Sequence, residues 1–214
     1  MIALLLLALF TMPDFTVGAE LPVIDVVDDT GRVRSTAEFR GAPMILVPLF
    51  TRCPLACPMI VRGVKRGTLG ARATPSSYRV VVLSFDERDT PADLRRFRER
   101  NQIPLSWTVV HARKGGARRL LDAAGYRYAD TGGQFTHPNA VVAVTRNGRT
   151  AKWLHGTSWE GRDIDDALAV AEGRRDWITQ AAPWLLGLLI VVAILAAISL
   201  MTLAGQWRER RVSA

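Results

Sequence analysis

The uninterrupted apolar run from Pro43 to Phe50 limits what this chain can fold into more than any other feature of its sequence. Residues at both odd and even positions are apolar, which is typical of a strand that is buried on both faces of its sheet. The stretch from Tyr78 to Phe85 has nearly the same pattern. Two such strands need helices on both sides of the sheet to keep them from water, so the sequence predicts an α/β domain.

Helix and strand signals alternate through the rest of this region. Thr90 can cap a helix, Pro91 suits its first turn, and Asp93 stands at the capping-box spacing. The Asn147-Gly148 pair is a hairpin turn signal between two strands. The predicted elements are an extended lead-in over 20–40, strands at 43–50, 78–85, 106–110, 139–144 and 151–154, and helices around 59–64, from 90 onward, at 117–124 and at 163–172.

The N-terminal region resembles a secretory signal. The apolar run from Ile2 to Phe10 is too short to cross a bilayer, which takes about 20 residues, but it suits the core of a signal peptide. Val17 to Ala19 offers a cleavage site, so residues 1–19 are predicted to be removed and Glu20 to start the mature chain. No Lys or Arg precedes the apolar run, which departs from the usual pattern.

The C-terminal region contains a longer apolar segment. Residues 181–203 carry no charged side chain and are long enough to cross a bilayer, so they predict one transmembrane helix. Trp184 and Trp207 lie near its two ends, as interfacial aromatic residues do. Arginines follow in the short tail at 204–214, which favours a cytoplasmic position for that tail. A cleaved signal and one anchor together place the domain at 20–175 on the extracytoplasmic, periplasmic side of the cell membrane.

The formal net charge of +8 comes from basic residues that are scattered over the predicted helices. The chain has no zinc finger, basic zipper or aromatic RNA-binding box, so the sequence gives no support for nucleic acid as a partner. We interpret the arginines as residues of solvated helix faces, which also attract the chain to an anionic membrane surface. No repeat or low-complexity segment occurs, and the length suits one domain.

Cys53 and Cys57 are the only cysteines, and they directly follow the first apolar run. In an exported protein such a pair can be a disulfide, a redox switch or a soft-metal site. A structural staple is disfavoured, because closing so small a loop removes little chain entropy. A helix beginning near the pair would place the sulfurs at the positive end of its dipole, which favours thiolates, and residues four apart would face the same way. The spacing does not fit covalent haem attachment, and a four-ligand zinc site would need at least two of the three histidines beside both cysteines.

Three segments resemble signatures of the Sco/SenC family, and they occur in the family's order. The segment from Phe50 to Pro58 resembles the family's copper-binding segment. The segment from Ser84 to Pro91 resembles its second signature, and that from Phe135 to Pro138 resembles the segment with its ligand histidine. The similarity covers roughly residues 22–172.

The resemblance implies a thioredoxin-like sandwich, with a central mixed sheet flanked by helices, in addition to the C-terminal transmembrane helix. It also implies copper, as Cu(I) or Cu(II), bound by Cys53, Cys57 and His137. The family helps to assemble the dinuclear copper centre of cytochrome c oxidase, so the oxidase's copper-bearing subunit is the expected partner. Some members act mainly as thiol–disulfide reductants, and Cys53 and Cys57 would then be the catalytic residues. A metallochaperone and a membrane-anchored thiol–disulfide oxidoreductase therefore both stay open, with His155 as the reserve ligand and His111 interpreted as structural.

The sequence departs from the family pattern at three places. Leu55 stands between the cysteines where the family usually has an aspartate, and the second signature lacks a proline after Asp86. The predicted anchor is C-terminal, whereas many family members carry it at the N-terminus. Asp86 and Asp89 either orient the site or cap the helix that follows, and the sequence does not separate these two roles.

Overall fold

The computed structural model describes residues 15–174 and 187–195, and a seven-stranded mixed sheet forms the centre of the first range. The strands are β1 (Asp25–Asp28), β2 (Val33–Ser35), β3 (Met44–Leu49), β4 (Arg79–Ser84), β5 (Thr108–Ala112), β6 (Ala129–Asp130), β7 (Phe135–Thr136), β8 (Ala140–Val144) and β9 (Thr150–His155). The helices are α1 (Ala56–Gly70), α2 (Pro91–Asn101), α3 (Gly116–Ala123) and α4 (Gly161–Ala171), with a short 3-10 helix at Thr36–Phe39. The strand order is β2-β1-β5-β4-β3-β8-β9, and β6 pairs with β7 in a separate hairpin.

The centre of the sheet is parallel and its flanks are antiparallel. β4 runs parallel to both β3 and β5, while β1 and β8 run antiparallel to the neighbours that they meet at either side of this group. β3 and β4 pair along their whole length, from Met44 opposite Arg79 to Leu49 opposite Ser84. All of β3 and all but the first residue of β4 are buried. The structure thus confirms the mixed sheet, and the two apolar runs are its central strands.

The C-terminal end of β3 has a neighbour on one side only. β8 pairs with β3 from Met44 to Leu46 and no further. Pro48 lies beyond that pairing, where β4 is its one neighbouring strand, as a proline in a sheet usually requires. The chain leaves the sheet here, so the segment with the cysteines starts at an open end of the sheet.

Helices cover the sheet and fix the position of α1. α1 packs against β3, α2 and α4, while α2 packs on β5, α3 on β5, and α4 on β8 and β9. Gly63 lets α1 approach the loop before α4 closely, because a Cβ atom at residue 63 would lie 2.2 Å from the carbonyl oxygen of Thr157 in that loop. The middle of α1 is therefore packed closely against the loop before α4.

The predicted start of α2 is confirmed, whereas one strand boundary is wrong. The Thr90 hydroxyl accepts from the Asp93 N–H over 3.3 Å, the Asp93 carboxylate accepts from the Thr90 N–H over 2.9 Å, and Pro91 is the first helical residue. The strand expected at 106–110 begins at Thr108, because residue 107 closes a turn onto the Pro104 carbonyl. β1 and β2 lie within the predicted extended lead-in over 20–40, whereas the 3-10 helix at Thr36–Phe39 departs from it. The strands β6 and β7 were not predicted, since each is too short to show a period.

The predictions for the two ends fall largely outside the described residues. Most of the predicted signal at 1–19 and the whole tail at 204–214 lie outside them. Of the predicted span at 181–203, the structure describes residues 187–195, which are helical and have exposed apolar side chains. Within the described parts of the chain, no helix has the length and apolar character needed to cross a membrane.

Candidate metal centre

The two cysteines lie where the chain leaves β3 and enters α1. The helix begins at Ala56, so Cys53 precedes it and Cys57 lies in its first turn. The expectation that the two residues share one face of a regular helix is therefore wrong. The sulfurs still meet, because the loop folds back over the helix end and the Cys57 N–H donates to the Cys53 Sγ over 3.3 Å. Both residues are free thiols.

The surroundings make these two thiols chemically different. Cys53 is half-buried, and the pKa of its thiol falls to about 5, first because the Cys57 side chain hydrogen-bonds to it and further because backbone N–H groups at the start of α1 point at it. Cys57 is fully buried, and burial, followed by the neighbouring Cys53, raises the pKa of its thiol. At neutral pH the site therefore presents an accessible thiolate beside a buried thiol.

His137 enters the site from the loop between β7 and β8. Its Nε2 lies 3.9 Å from the Cys57 Sγ. The rings of Phe50 and Phe85 pack edge-on against the imidazole, with ring centroids 5.8 and 5.5 Å away. These aromatic contacts fix the plane of the ring and leave Nε2 facing the cysteines.

Tyr126 holds the other side of the imidazole. Its hydroxyl lies 3.0 Å from the His137 Nδ1 and donates to the Pro138 carbonyl over 2.8 Å. Burial raises the pKa of Tyr126 well above its ordinary value, so the hydroxyl keeps its proton. With that proton given to the carbonyl, the tyrosine oxygen can accept from an Nδ1–H, which leaves the Nε2 lone pair free. The contacts thus favour the tautomer that a metal-binding histidine needs.

Cys53, Cys57 and His137 together form a group that could hold a metal ion. Their candidate ligand atoms all lie within 4.8 Å of one another. No other group of three or more potential ligands from His, Cys, Asp and Glu occurs within residues 15–174 and 187–195. Two sulfurs and one imidazole nitrogen are soft and borderline donors, which suit Cu(I) and Cu(II) better than Mg²⁺ or Ca²⁺.

Two aspartates of the second signature, Asp86 and Asp89, accept hydrogen bonds from the residues that precede Cys53. The buried Asp89 carboxylate accepts from the Thr51 N–H at 3.1 Å, the Thr51 hydroxyl at 2.7 Å and the Ser84 hydroxyl at 2.5 Å. Asp86, also buried, accepts from Arg52 at 2.6 Å and from Arg88 at 2.8 Å. Thr90, rather than either aspartate, caps α2. Of the two roles left open by the sequence, the structure favours orientation of the site.

The other two histidines lie away from this group. His111 is part of β5, and among the described residues its buried Nδ1 has no hydrogen-bond partner. His155 is exposed at the end of β9, where its ring packs 4.7 Å from that of Phe15. The structure therefore brings His137, and not the reserve candidate His155, to the cysteines.

Sequence reasoning missed Tyr126 and the residues that anchor Asp89. Nothing in the sequence separates Tyr126 from any other core tyrosine, because its partners lie 11 and 12 residues further along the chain. Thr51 and Ser84 lie inside the segments that resemble the family signatures, so those segments were the one available signal for them.

Comparison with known proteins gives the family. The SCO1/SenC family model matches residues 23–108, which include both cysteines and the second signature but end before His137. A candidate electron transfer protein from Aquifex aeolicus is 30% identical, with a TM-score of 0.69 over 74% of this chain and 95% of that protein. The chain belongs to the SCO1/SenC family.

Two more distant Sco structures share the thioredoxin-like fold. ScoI from Bradyrhizobium japonicum, solved with copper bound, is 15% identical, with a TM-score of 0.59 over 70% of this chain and 98% of ScoI. BsSco, described as a Sco-family cytochrome c oxidase assembly protein with a disulfide switch, is 18% identical, with a TM-score of 0.61 over 72% of this chain and 95% of BsSco. Comparison with curated proteins gave no significant match. These neighbours support the fold of this SCO1/SenC chain, and its function is argued below from its own residues.

Proposed function

We propose that this chain binds one copper ion through Cys53, Cys57 and His137 and delivers it to the dinuclear copper centre of cytochrome c oxidase. The observation that carries the proposal is the convergence of two sulfurs and one imidazole nitrogen within 4.8 Å. This donor set suits Cu(I) and also accepts Cu(II), so one site can hold both oxidation states.

The protonation of the site fits metal uptake. Cys53 is a thiolate at neutral pH, so it can bind a soft cation without losing a proton. Cys57 is a buried thiol, and it must release its proton when the metal binds. Tyr126 favours the tautomer of His137 in which Nε2 is a free donor. Uptake of copper at neutral pH should therefore release close to one proton per chain.

Delivery requires that a partner can reach the metal, and the burial pattern provides one route. Cys57 is fully buried, whereas Cys53 remains partly accessible. A ligand of the receiving protein can therefore approach from the Cys53 side. The family of BsSco, named for cytochrome c oxidase assembly, supports the oxidase's copper-bearing subunit as the receiver.

A thiol–disulfide oxidoreductase is the second candidate function. Its supporting observation is the unequal exposure of two neighbouring sulfurs, because an accessible thiolate at Cys53 can attack a disulfide while the buried Cys57 resolves the mixed disulfide. This function uses Cys53 and Cys57 as catalytic residues and does not need His137. The disulfide switch named for BsSco is consistent with such chemistry in the family.

The proposed location follows from the sequence. The apolar N-terminal run suits an export signal, and the apolar segment at 181–203 suits a single membrane anchor. We place the domain on the extracytoplasmic side of the cell membrane, where a copper centre of a respiratory oxidase would be assembled. Reporter fusions after Gln180 and after Ala214 test this, since only the first should be active outside the cytoplasm.

Copper titration of the reduced full chain in detergent tests the function. Wild type should bind one copper, and Cys53→Ala or Cys57→Ala should abolish tight binding. His137→Ala should weaken Cu(II) more than Cu(I), because two thiolates alone can hold Cu(I) linearly, and the matched control His155→Ala should change neither. A wild-type chain that binds no copper above background, yet reduces a model disulfide, would replace the chaperone with the oxidoreductase.

A further inference from the structure

An open cleft with basic walls lies beside Cys53, and the metal centre does not use it. The cleft has a volume of about 350 Å³, and Cys53 forms part of its wall. Its charged lining residues are Arg52, Arg96, Arg100 and Asp93. Arg96 and Arg100 are four residues apart on α2, so they lie on the same face of that helix.

The one carboxylate of the cleft is fully engaged by the protein. Asp93 accepts from the Thr90 N–H over 2.9 Å, from the Thr90 hydroxyl over 2.5 Å and from Arg96 over 2.6 Å. Asp93 is therefore committed to the helix cap and to Arg96, and Arg52 lies 4.0 Å from the same carboxylate. Among the described residues it does not pair with Arg100, the third arginine of the cleft.

The arginines of the cleft differ in how many of their N–H donors are already used within the protein. Arg52 donates to the buried Asp86 over 2.6 Å and so belongs to the support of the cysteine loop. Arg100 is exposed, and the one hydrogen bond that its side chain makes within the described parts of the chain is long, 3.4 Å to the Thr51 carbonyl. Among the residues that the structure describes, no carboxylate lies within 4 Å of the Arg100 guanidinium. Arg100 thus retains N–H donors for an anionic ligand next to Cys53.

Two exposed apolar side chains lie close to Cys53 in the chain. Leu55 stands between the two cysteines and is 69% exposed, and Met59 follows one turn later with 37% exposed. Neither residue lines the cleft itself. A ligand that covers both features must extend beyond the cleft, which is more than a small thiol does.

We propose that this surface docks an acidic, cysteine-containing segment of a partner protein, with a carboxylate on Arg100 and an apolar side chain over Leu55. The proposal rests on the proposed function, because both copper transfer and thiol–disulfide exchange require a partner sulfur to reach Cys53. Docking would hold that sulfur close to the accessible thiolate. The charge of the cleft would select acidic segments over basic ones and speed their encounter.

Activated peptides test the docking without any metal. Three short peptides, each with one cysteine as a 2-pyridyl disulfide and one neighbouring leucine, carry glutamates, glutamines or lysines. The Cys53 thiolate forms a bond to the peptide sulfur, and the bond between the peptide sulfur and the pyridyl sulfur breaks. The pyridine thiolate leaves with the electron pair and takes a proton from solvent to give thiopyridone. Its absorbance gives the rate. Cys57 then loses a proton to water and attacks the Cys53 sulfur, which releases the peptide thiol and leaves the chain oxidised.

With the reduced full chain at low salt, the glutamate peptide should react fastest and the lysine peptide slowest. Arg100→Gln should slow the glutamate peptide by about two- to fivefold and leave the glutamine peptide unchanged. About 1 M salt should remove the difference between the peptides. The matched control is Arg95→Gln on the same helix, whose side chain reaches the Asp29 carbonyl instead of the cleft. Leu55→Ser should slow all three peptides.

Several outcomes would overturn the proposal. Equal rates for the three peptides would do so, as would equal effects of Arg95→Gln and Arg100→Gln, since overall charge would then explain the selectivity. If the pyridyl disulfide of glutathione shows the full dependence on Arg100 while Leu55→Ser changes no peptide rate, the occupant is a small thiol and not a protein segment. A chain that reacts with none of the peptides also overturns the docking, while the copper titration still decides the proposed function separately.

Discussion

Replacing Tyr126 by Phe removes one hydroxyl from the support of His137 and keeps the ring. That hydroxyl bridges the His137 Nδ1, at 3.0 Å, and the Pro138 carbonyl, at 2.8 Å. The aromatic packing of Tyr126, including its stacking at 5.9 Å on Trp153, does not involve the oxygen. The substitution therefore tests the hydrogen bonds of Tyr126 with little change to the core.

The expected size of the effect follows from the contacts that remain. The Nδ1 also lies 2.9 Å from the Pro138 carbonyl, so an Nδ1–H keeps one acceptor after the hydroxyl is gone. The preference for this tautomer should then fall by about one net hydrogen bond, or about 1 kcal/mol, which is about fivefold in the ratio of tautomers. Loss of such an outer partner weakens metal binding by about tenfold or more in other sites. We expect a loss of about tenfold in Cu(II) affinity and a smaller loss for Cu(I).

Nitrogen NMR of the imidazole ring in the reduced, metal-free chain measures the tautomer directly, and competition with a chelator measures the affinity. The matched control is Tyr128→Phe, because this tyrosine stacks on Phe85 at 4.4 Å and lies over Arg118 but does not contact His137. Unchanged ring signals in Tyr126→Phe, or equal losses of Cu(II) affinity in both variants, would refute the argument. A fall in stability of about 1–3 kcal/mol without a change of tautomer would show a merely structural role.

Three further experiments test the hydrogen bonds under the cysteine loop, the packing of α1 and the charge of Cys53. Asp89→Asn should lower the free energy of unfolding by about 2–3 kcal/mol in denaturant titrations. The reason is that a buried acceptor of three hydrogen bonds loses its charge. An unchanged free energy of unfolding would contradict the role of this carboxylate. Gly63→Ala should cost about 1–3 kcal/mol by the same measurement, since its Cβ would meet the Thr157 carbonyl, whereas Thr68→Ala on the same helix should cost little. Alkylation of Cys53, followed by mass spectrometry, should stay near its maximum down to about pH 6. It should fall about tenfold per unit below the thiol pKa of about 5, because the thiolate is lost as pH falls through that value. A midpoint near pH 9 would contradict the thiolate.

The sequence predicted those parts of the fold that depend on local or periodic signals. Two apolar runs gave the central strands, and the Thr90–Asp93 capping box gave the start of α2, because each needs only neighbouring residues. The strands β6 and β7 have two residues each, so no period marks them. His137 follows directly after β7, and its place beside Cys57 depends on a contact 80 residues apart. That contact could be expected only from the family resemblance.

The arrangement of the cysteine pair was likewise predictable only in part. Its spacing in the sequence indicated that the sulfurs would meet, but a shared helix face was the wrong reason, because α1 begins after Cys53. The unequal burial of the two thiols depends on how the loop lies over the helix end, which no local pattern encodes. The free donors of Arg100 likewise depend on which carboxylates reach α2 from elsewhere in the fold.

X-ray absorption of the copper-loaded chain tests the central claim most directly, because it identifies the atoms bound to the metal. Our account predicts two sulfur ligands and one imidazole nitrogen in the wild type, and loss of the nitrogen in His137→Ala but not in His155→Ala. Fewer than two sulfur ligands, or a spectrum that His137→Ala leaves unchanged, would contradict a copper site made by Cys53, Cys57 and His137.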